Sequence, residues 1–374
     1  MNFSYWEKTH LLGNIDVAII GSGITGLSAA IHLKRKAPNL KVTILERGML
    51  PWGASSKNAG FACFGSVGEI VDDLQHSSID DIVALMKYRY DGLKTIVKLL
   101  GKDSMDYQER GGFELFTPNQ KEDYEYCVGK IDELNRLLRA DFGEKVYQVQ
   151  ENTFGFGGVL GMLKNNYEGQ IDTGKMMHSY LSLAKVEGVN ILNGADIDSF
   201  ENINGKVVLR FRGGMEMNAG HLIICANGFA KKFMKEDVLP ARAQVLITKP
   251  VNNLPFEGTF HYDKGYYYFR NIHNRVLFGG GRNLDIEGET TTEMECTDLI
   301  IGKLKEILAT VILPNTKYEI DFQWAGTMGV GTKKSPIIKN LSANVSCAVR
   351  LGGMGVALGT SVGADVAKMY FDER

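Results

Sequence analysis

Gly21, Gly23 and Gly26 form a Gly-x-Gly-x-x-Gly pattern at the end of the β-branched run Ile15–Ile20 and directly before a helix-forming segment, 27–36. Glycines at this spacing act through the backbone they uncover. Gly21 permits a tight turn, Gly23 leaves amide N–H groups open to a pyrophosphate, and Gly26 lets helix and strand pack closely. Ile24 and Thr25 fall on the first helical turn, where the positive end of the helix dipole meets anions. The next run, 41–45, ends in Glu46, whose carboxylate suits both ribose hydroxyls and repels a 2′-phosphate. Strand, glycine loop, helix, strand and acid make a complete dinucleotide cradle, for FAD or NAD and not NADP.

Two further stretches bear on which cofactor it is. Arg47 and the small, polar loop with Ser55, Ser56, Asn58, Ala59 and Gly60 follow the acid closely. Near the C-terminus Gly353, Met354, Gly355 and Val356 form a glycine loop opening another helix. Its positive end suits the partial negative charge on a reduced flavin ring. An NAD-dependent dehydrogenase, the alternative reading, leaves this loop without a role. The chain has no second Gly-x-Gly-x-x-Gly for a nicotinamide carrier and no Cys-x-x-Cys redox pair. FAD is the expected cofactor, and a non-catalytic FAD-binding protein is the remaining alternative.

These segments need a frame. Alternation of short strands with helical segments predicts an α/β chain: a Rossmann-like FAD-binding domain of glutathione-reductase type with a β-rich, α+β substrate domain. Ile79, Ile82, Met86, Leu93 and Val97 share one helical face, and a second helix is expected from Lys121, capped by Asn119. Asp172 opens another helix, and Asn204-Gly205 turns a hairpin. The run Gly265-Tyr266-Tyr267-Tyr268-Phe269-Arg270 reads as one strand of a hairpin, with Tyr266, Tyr268 and Arg270 on one face. The expected division is 1–75, 145–228 and 323–374 for the FAD-binding domain, and 76–144 and 229–322 for the substrate domain.

Composition removes other classes. Lys+Arg 42 against Asp+Glu 44 gives a net charge of −2, so no bulk basicity points to nucleic acid or acidic lipid. With 43 glycines but only 8 prolines, the glycines are placed for turns and close approach and not for a disordered linker. The 5 scattered cysteines show no zinc spacing, so no metal is expected, and they read as free thiols of a reducing, cytoplasmic setting. His76, His178, His261 and His273 have no partner pattern and read as surface or packing residues.

The cradle with Glu46, the Ser-Ser-Lys-Asn-Ala-Gly loop at 55–60, Cys225-Ala-Asn-Gly228 and the loop at 352–356 together resemble the D-amino-acid-oxidase-like FAD oxidoreductases. That family includes glycine oxidase, monomeric sarcosine oxidase and γ-glutamylputrescine oxidase. The resemblance implies that Ala226, Asn227, Gly228 and Ile197 lie near the adenosine half of FAD. It also implies that Tyr266, with Tyr268 beside it, lines the substrate pocket. Amino-acid-oxidising members carry an arginine shortly after Trp-Ala-Gly to grip the substrate carboxylate; here that position is Met328, which leaves Arg270 or Lys333 as anion partners. The cysteine that tethers flavin in sarcosine-oxidase-like relatives is missing from this stretch, so FAD is expected to be non-covalent. The expected reaction oxidises a C–N bond of a small-molecule amine or amino acid by hydride transfer to flavin N5. Imine hydrolysis and reoxidation by oxygen or another acceptor would follow.

Overall fold

Apolar strands need cover on both faces; in Ile15–Ile20 only Asp16 is exposed, with Val17 and Ile19 buried in one core and Ile15, Ala18 and Ile20 in another. In the computed structural model, which describes residues 3–13 and 15–372, the chain forms two large sheets. The first runs in the order Ile337–Ser342, Val345–Val349, Glu216–Ile224, Ile15–Ile20, Val42–Glu46, Asn190–Asn193. Ile15–Ile20 is parallel to both of its neighbours. The hairpin Ile197–Ile203 and Lys206–Phe211 extends from Glu216–Ile224 and turns at Asn204 and Gly205, with φ of 51° and 75°, as expected.

Helices Ile24–Lys36 and Gly355–Asp372 pack together through glycine: a Cβ on Gly363 would lie 2.5 Å from the Thr25 carbonyl. Helix Ile79–Leu100 carries the expected stripe and meets Gly355–Asp372 at Gly92, where a Cβ would lie 1.8 Å from the Ala357 carbonyl. Helix Lys121–Phe142 begins where expected, but its entry turn is capped by Thr117 and Gln120 in a capping box, not by Asn119. Pro118 at the first position of that turn moves the cap upstream. Asp172 caps Thr173–Val186, accepting from the Lys175 N–H.

The second sheet runs Ile320–Val330, Leu239–Thr248, Arg275–Gly280, Tyr267–Ile272, Thr259–Tyr262, Gly112–Phe116, Gly161–Asn165, Tyr147–Gln150. One face packs aromatic rings, with Phe260 stacked on Phe269 at 4.8 Å, under helix Asp298–Ile307. The sheets correct the expected division. Tyr147–Gln150 and Gly161–Asn165 belong to the second sheet, as does Ile320–Val330, which pairs with Leu239–Thr248 along almost its whole length. Helix Ile79–Leu100, expected in the substrate domain, shares its core with the helices of the first sheet.

Candidate active site

A cavity of about 910 Å³ runs between the two sheets. Gly21, Gly23, Ile24 and Thr25 line one end. The helix they open has Gly23 as N-cap, which offers its first turn no side chain, and the Ile24 N–H is met by Ser55 Oγ at 3.0 Å. Gly23 has φ −75°, an ordinary extended value, so its missing side chain matters for space and not for conformation. Glu46 lines the same end and is locked in place: Oε2 accepts from Ser22 N–H and Oγ–H at 3.1 and 2.7 Å, and Oε1 from Gly48 N–H at 2.9 Å. A carboxylate has further lone pairs for ligand hydroxyls. Ile197, Ala226 and Asn227 lie here too, and the Arg47 guanidinium sits 3.8 Å over the Phe229 ring.

Ser55, Asn58 and Ala59 line the middle. Asn58 Nδ2 donates to the Ser55 carbonyl at 2.7 Å and its Oδ1 accepts from Gly60 N–H at 2.8 Å, which closes the loop on itself. Across it, Gly353, Met354, Gly355 and Val356 close the wall. Asn227 Oδ1 holds this C-terminal loop by accepting from Arg350 and Leu351 N–H at 3.0 and 3.2 Å.

The far end is aromatic. Tyr266, Tyr268, Phe61 and His261 line it, with Phe61 edge-on to His261 and Tyr268 at 5.2 and 5.6 Å. Tyr268 stands opposite His261 on one side and Gly279 on the other. A Cβ at Gly279 would lie 2.7 Å from the tyrosine ring, so that glycine makes room for it. Tyr267 and Phe269 turn into the opposite core, as alternation requires. Met328 lines the cavity, and a Cβ on Gly353 would approach its Sδ at 3.8 Å.

Five expected site residues are not on this wall. Gly26 serves the turn, where a Cβ would lie 2.0 Å from the Gly21 carbonyl. Ser56 donates to the Pro51 carbonyl at 2.6 Å. A Cβ at Gly228 would lie 2.4 Å from the Met328 carbonyl, so this glycine seats the turn against a strand of the second sheet. Gly60 and Arg270 meet each other instead of the cavity. Arg270 is buried and donates from Nη1 to the Gly60 and Ile171 carbonyls at 2.8 and 2.6 Å, and from Nε to the Asn271 carbonyl at 3.0 Å. Burial brings its pKa down to about 10.

Other wall residues carry no motif. His261, expected to be packing, faces the cavity, and burial lowers its pKa to about 4, leaving a neutral imidazole at pH 7. Glu69, Arg89 and Glu168 also line the cavity. Burial opposes ionisation of Glu69, but Arg89 at 3.1 Å and Lys334 at 3.2 Å bring its pKa down to about 2. Glu168 accepts from the Phe64 and Gly65 N–H groups at 2.9 and 3.1 Å, yet burial still pushes its pKa up to about 7. Alternation on Thr259–Tyr262 could have pointed to His261, once its register against Tyr268 was known.

A family model, "DAO: FAD dependent oxidoreductase", matches residues 16–369. The chain belongs to this family. Among DAO-family relatives, it is 22% identical to a probable oxidoreductase, OrdL, of Haemophilus influenzae, over 96% of this chain and 84% of that protein. It is also 22% identical to the gamma-glutamylputrescine oxidoreductase of Escherichia coli, over 95% and 83%. Its fold matches glycine oxidase from Bacillus cereus with a TM-score of 0.77 at 15% identity, covering 96% of both chains. DAO-family proteins are FAD-dependent, and the cavity fits that cofactor. Its volume lies toward the upper end of the usual range of roughly 300–1,000 Å³. A Cβ on Gly355 would meet nothing within 4 Å, so the wall leaves open space beside the C-terminal glycine loop. Among the described residues there is no metal-binding cluster and no helix long and apolar enough to cross a membrane.

Proposed function

We propose that this protein oxidises a C–N bond of a small amine or amino acid, with non-covalently bound FAD as the acceptor of the hydride. The observation that carries this reading is the continuity of the cavity, from the glycine cradle at residues 21–25 to the wall of Phe61, His261, Tyr266 and Tyr268. The gamma-glutamylputrescine oxidoreductase and glycine oxidase among its relatives support the substrate class. Bound FAD supplies a flavin ring able to take up a hydride.

The chain supplies position and a dry wall. Residues 21–25 with Glu46 would hold the diphosphate and ribose, and Ser55, Asn58 and 353–356 would bracket the flavin. Rings of Phe61, Tyr268 and neutral His261 exclude water from the carbon to be oxidised. Loss of hydride from that carbon requires a neutral nitrogen with its lone pair free, and desolvation by these rings favours the neutral amine. Neither His261 nor Glu69 is suited to take the proton: His261 titrates near 4, and Glu69 is held by Arg89 and Lys334. Glu168, with a pKa of about 7, is buried and held by the Phe64 and Gly65 N–H groups, and hydride loss from a neutral amine needs no base, so rate comes chiefly from orientation. Free cysteines 63, 127, 225, 296 and 347 suit a reducing, cytoplasmic setting.

The test is the visible spectrum of the purified protein under anaerobic conditions, against a panel of amino acids, N-methyl amines and polyamines. Bleaching of the flavin band by a member of the panel is expected. A yellow protein that no amine bleaches would leave only a flavin-binding role.

A further inference from the structure

The carboxylate grip implied by the family resemblance is missing at Met328, and Arg270 is taken up by backbone carbonyls. Cations nevertheless line the cavity. Arg89 and Lys334 are paired with Glu69, and Arg350 with Asp237 at 2.8 Å. Three others are held less tightly. Arg282 has one weak contact, to Thr290 at 3.4 Å, and its Nε is buried without a partner. Lys264 forms only long ion pairs, with Asp72 and Asp123 at 4.0 Å each. Lys333, from the loop after Ile320–Val330, makes no ion pair among the described residues and lines the cavity.

Local backbone geometry sets this rim beside Tyr266. A Cβ at Gly280 would lie 2.1 Å from the Tyr266 carbonyl, and the Gly281 N–H donates to that carbonyl at 2.9 Å. Gly281, with φ +82°, then turns the chain so that Arg282 leaves the strand next to the tyrosine. Lys264 lies two residues before Tyr266 on the preceding turn, with φ 54°. Tyr266 is 44% exposed, so the rim lies outside the ring wall of Phe61, His261 and Tyr268. At the cradle end Arg47 makes no ion pair among the described residues and stands with the amides of residues 21–25 for a diphosphate, whereas Arg212 and Lys232 there are paired with Asp196 and Asp198.

We infer that Arg282, with Lys264 and Lys333, forms an anion site that selects amines carrying a carboxylate several atoms from the oxidised carbon. This rests on the amine-oxidising reading of the cavity. A guanidinium fork matches a carboxylate bidentately, and the lysines add charge without fixing direction. The site thus moves the carboxylate grip from beside the reacting carbon to the mouth.

The experiment titrates pentanoate and pentanamide, which cannot be oxidised as amines, into the yellow holoprotein and reads the shift of the flavin band. Pentanoate is expected to bind about tenfold or more tightly than pentanamide, with that advantage falling as salt rises. Arg282→Gln with Lys264→Gln should abolish the advantage, and Arg282→Lys alone should keep part of it. Equal or undetectable binding of acid and amide to the native protein overturns the inference, as does an advantage that survives the double substitution. Amine-driven bleaching without any anion preference would sink the rim and leave the amine reading intact. An arginine-dependent preference without bleaching by any amine would uphold the rim and sink the amine reading.

Discussion

Gly23→Val tests the cradle without disturbing the fold. Gly23 is extended at φ −75°, which valine adopts freely, and a Cβ there would meet only the Ser55 side chain, with Oγ 2.7 Å away. Valine therefore adds its carbons to the ligand space and pushes Ser55 Oγ off the Ile24 N–H. Overfilling a close-packed site costs about 1–3 kcal/mol, and losing one hydrogen bond a further 0.5–1.5 kcal/mol or so. The sum, roughly 1.5–4.5 kcal/mol, weakens FAD binding about 12- to 1,600-fold at 1.4 kcal/mol per decade. The assay is calorimetric titration of apoprotein with FAD, together with the 280 nm to flavin-band ratio after desalting. Circular dichroism of the apoprotein should be unchanged. Gly26→Ala is the contrasting substitution: its Cβ would lie 2.0 Å from a backbone oxygen, so it should lower stability. A Gly23→Val protein that keeps its full complement of flavin with unchanged affinity would refute the cradle argument.

Replacing Arg270 by Met strands the Ile171 carbonyl and leaves the Gly60 carbonyl with the Ile171 N–H alone, and should lower stability in urea by about 2 kcal/mol; an unchanged unfolding midpoint would show that the guanidinium is not the pin. Glu168 binds its proton more tightly folded, with a pKa near 7, than unfolded, where the ordinary value is 4.5. Its contribution is thus complete below about 4.5 and lost as pH rises through 7, so native protein should lose up to about 3 kcal/mol relative to Glu168→Gln between pH 5 and 8. Parallel stability curves for the two proteins across that range would contradict this. Met328→Arg should restore a grip beside the reacting carbon and lower KM for sarcosine or glycine about tenfold or more. The same substitution should leave KM for uncharged amines unchanged.

The parts of the site legible in the sequence were those whose physics is local. The cradle from Gly21 to Glu46 lies within one strand-helix-strand unit, and the helical stripe through Ile82, Met86 and Leu93 follows from periodicity alone. The Asn204-Gly205 turn announces itself by residue type. The parts that stayed hidden depend on pairing across the chain. Ile320–Val330 has the apolar character of either sheet, and only its register with Leu239–Thr248 decides which it joins. Arg270 shares the face of Tyr268, as alternation indicated, but alternation says nothing of the Gly60 and Ile171 carbonyls waiting there. His261 and Arg282 belong to no motif. Their place at the cavity comes from neighbouring strands and from a run of glycines that had no evident purpose when read along the chain.

The late closure of the cavity has a consequence for biosynthesis. Residues 21–25 leave the ribosome early, but the opposite wall, 353–356, follows about 330 residues later. If residues 21–25 hold the phosphates as proposed, a nascent chain halted before residue 350 would have that grip with no enclosure, and little with which to retain a flavin. On the proposed reading, cofactor capture waits for residues 353–356: it would stabilise chains that have reached them by mass action and leave shorter ones to the proteases.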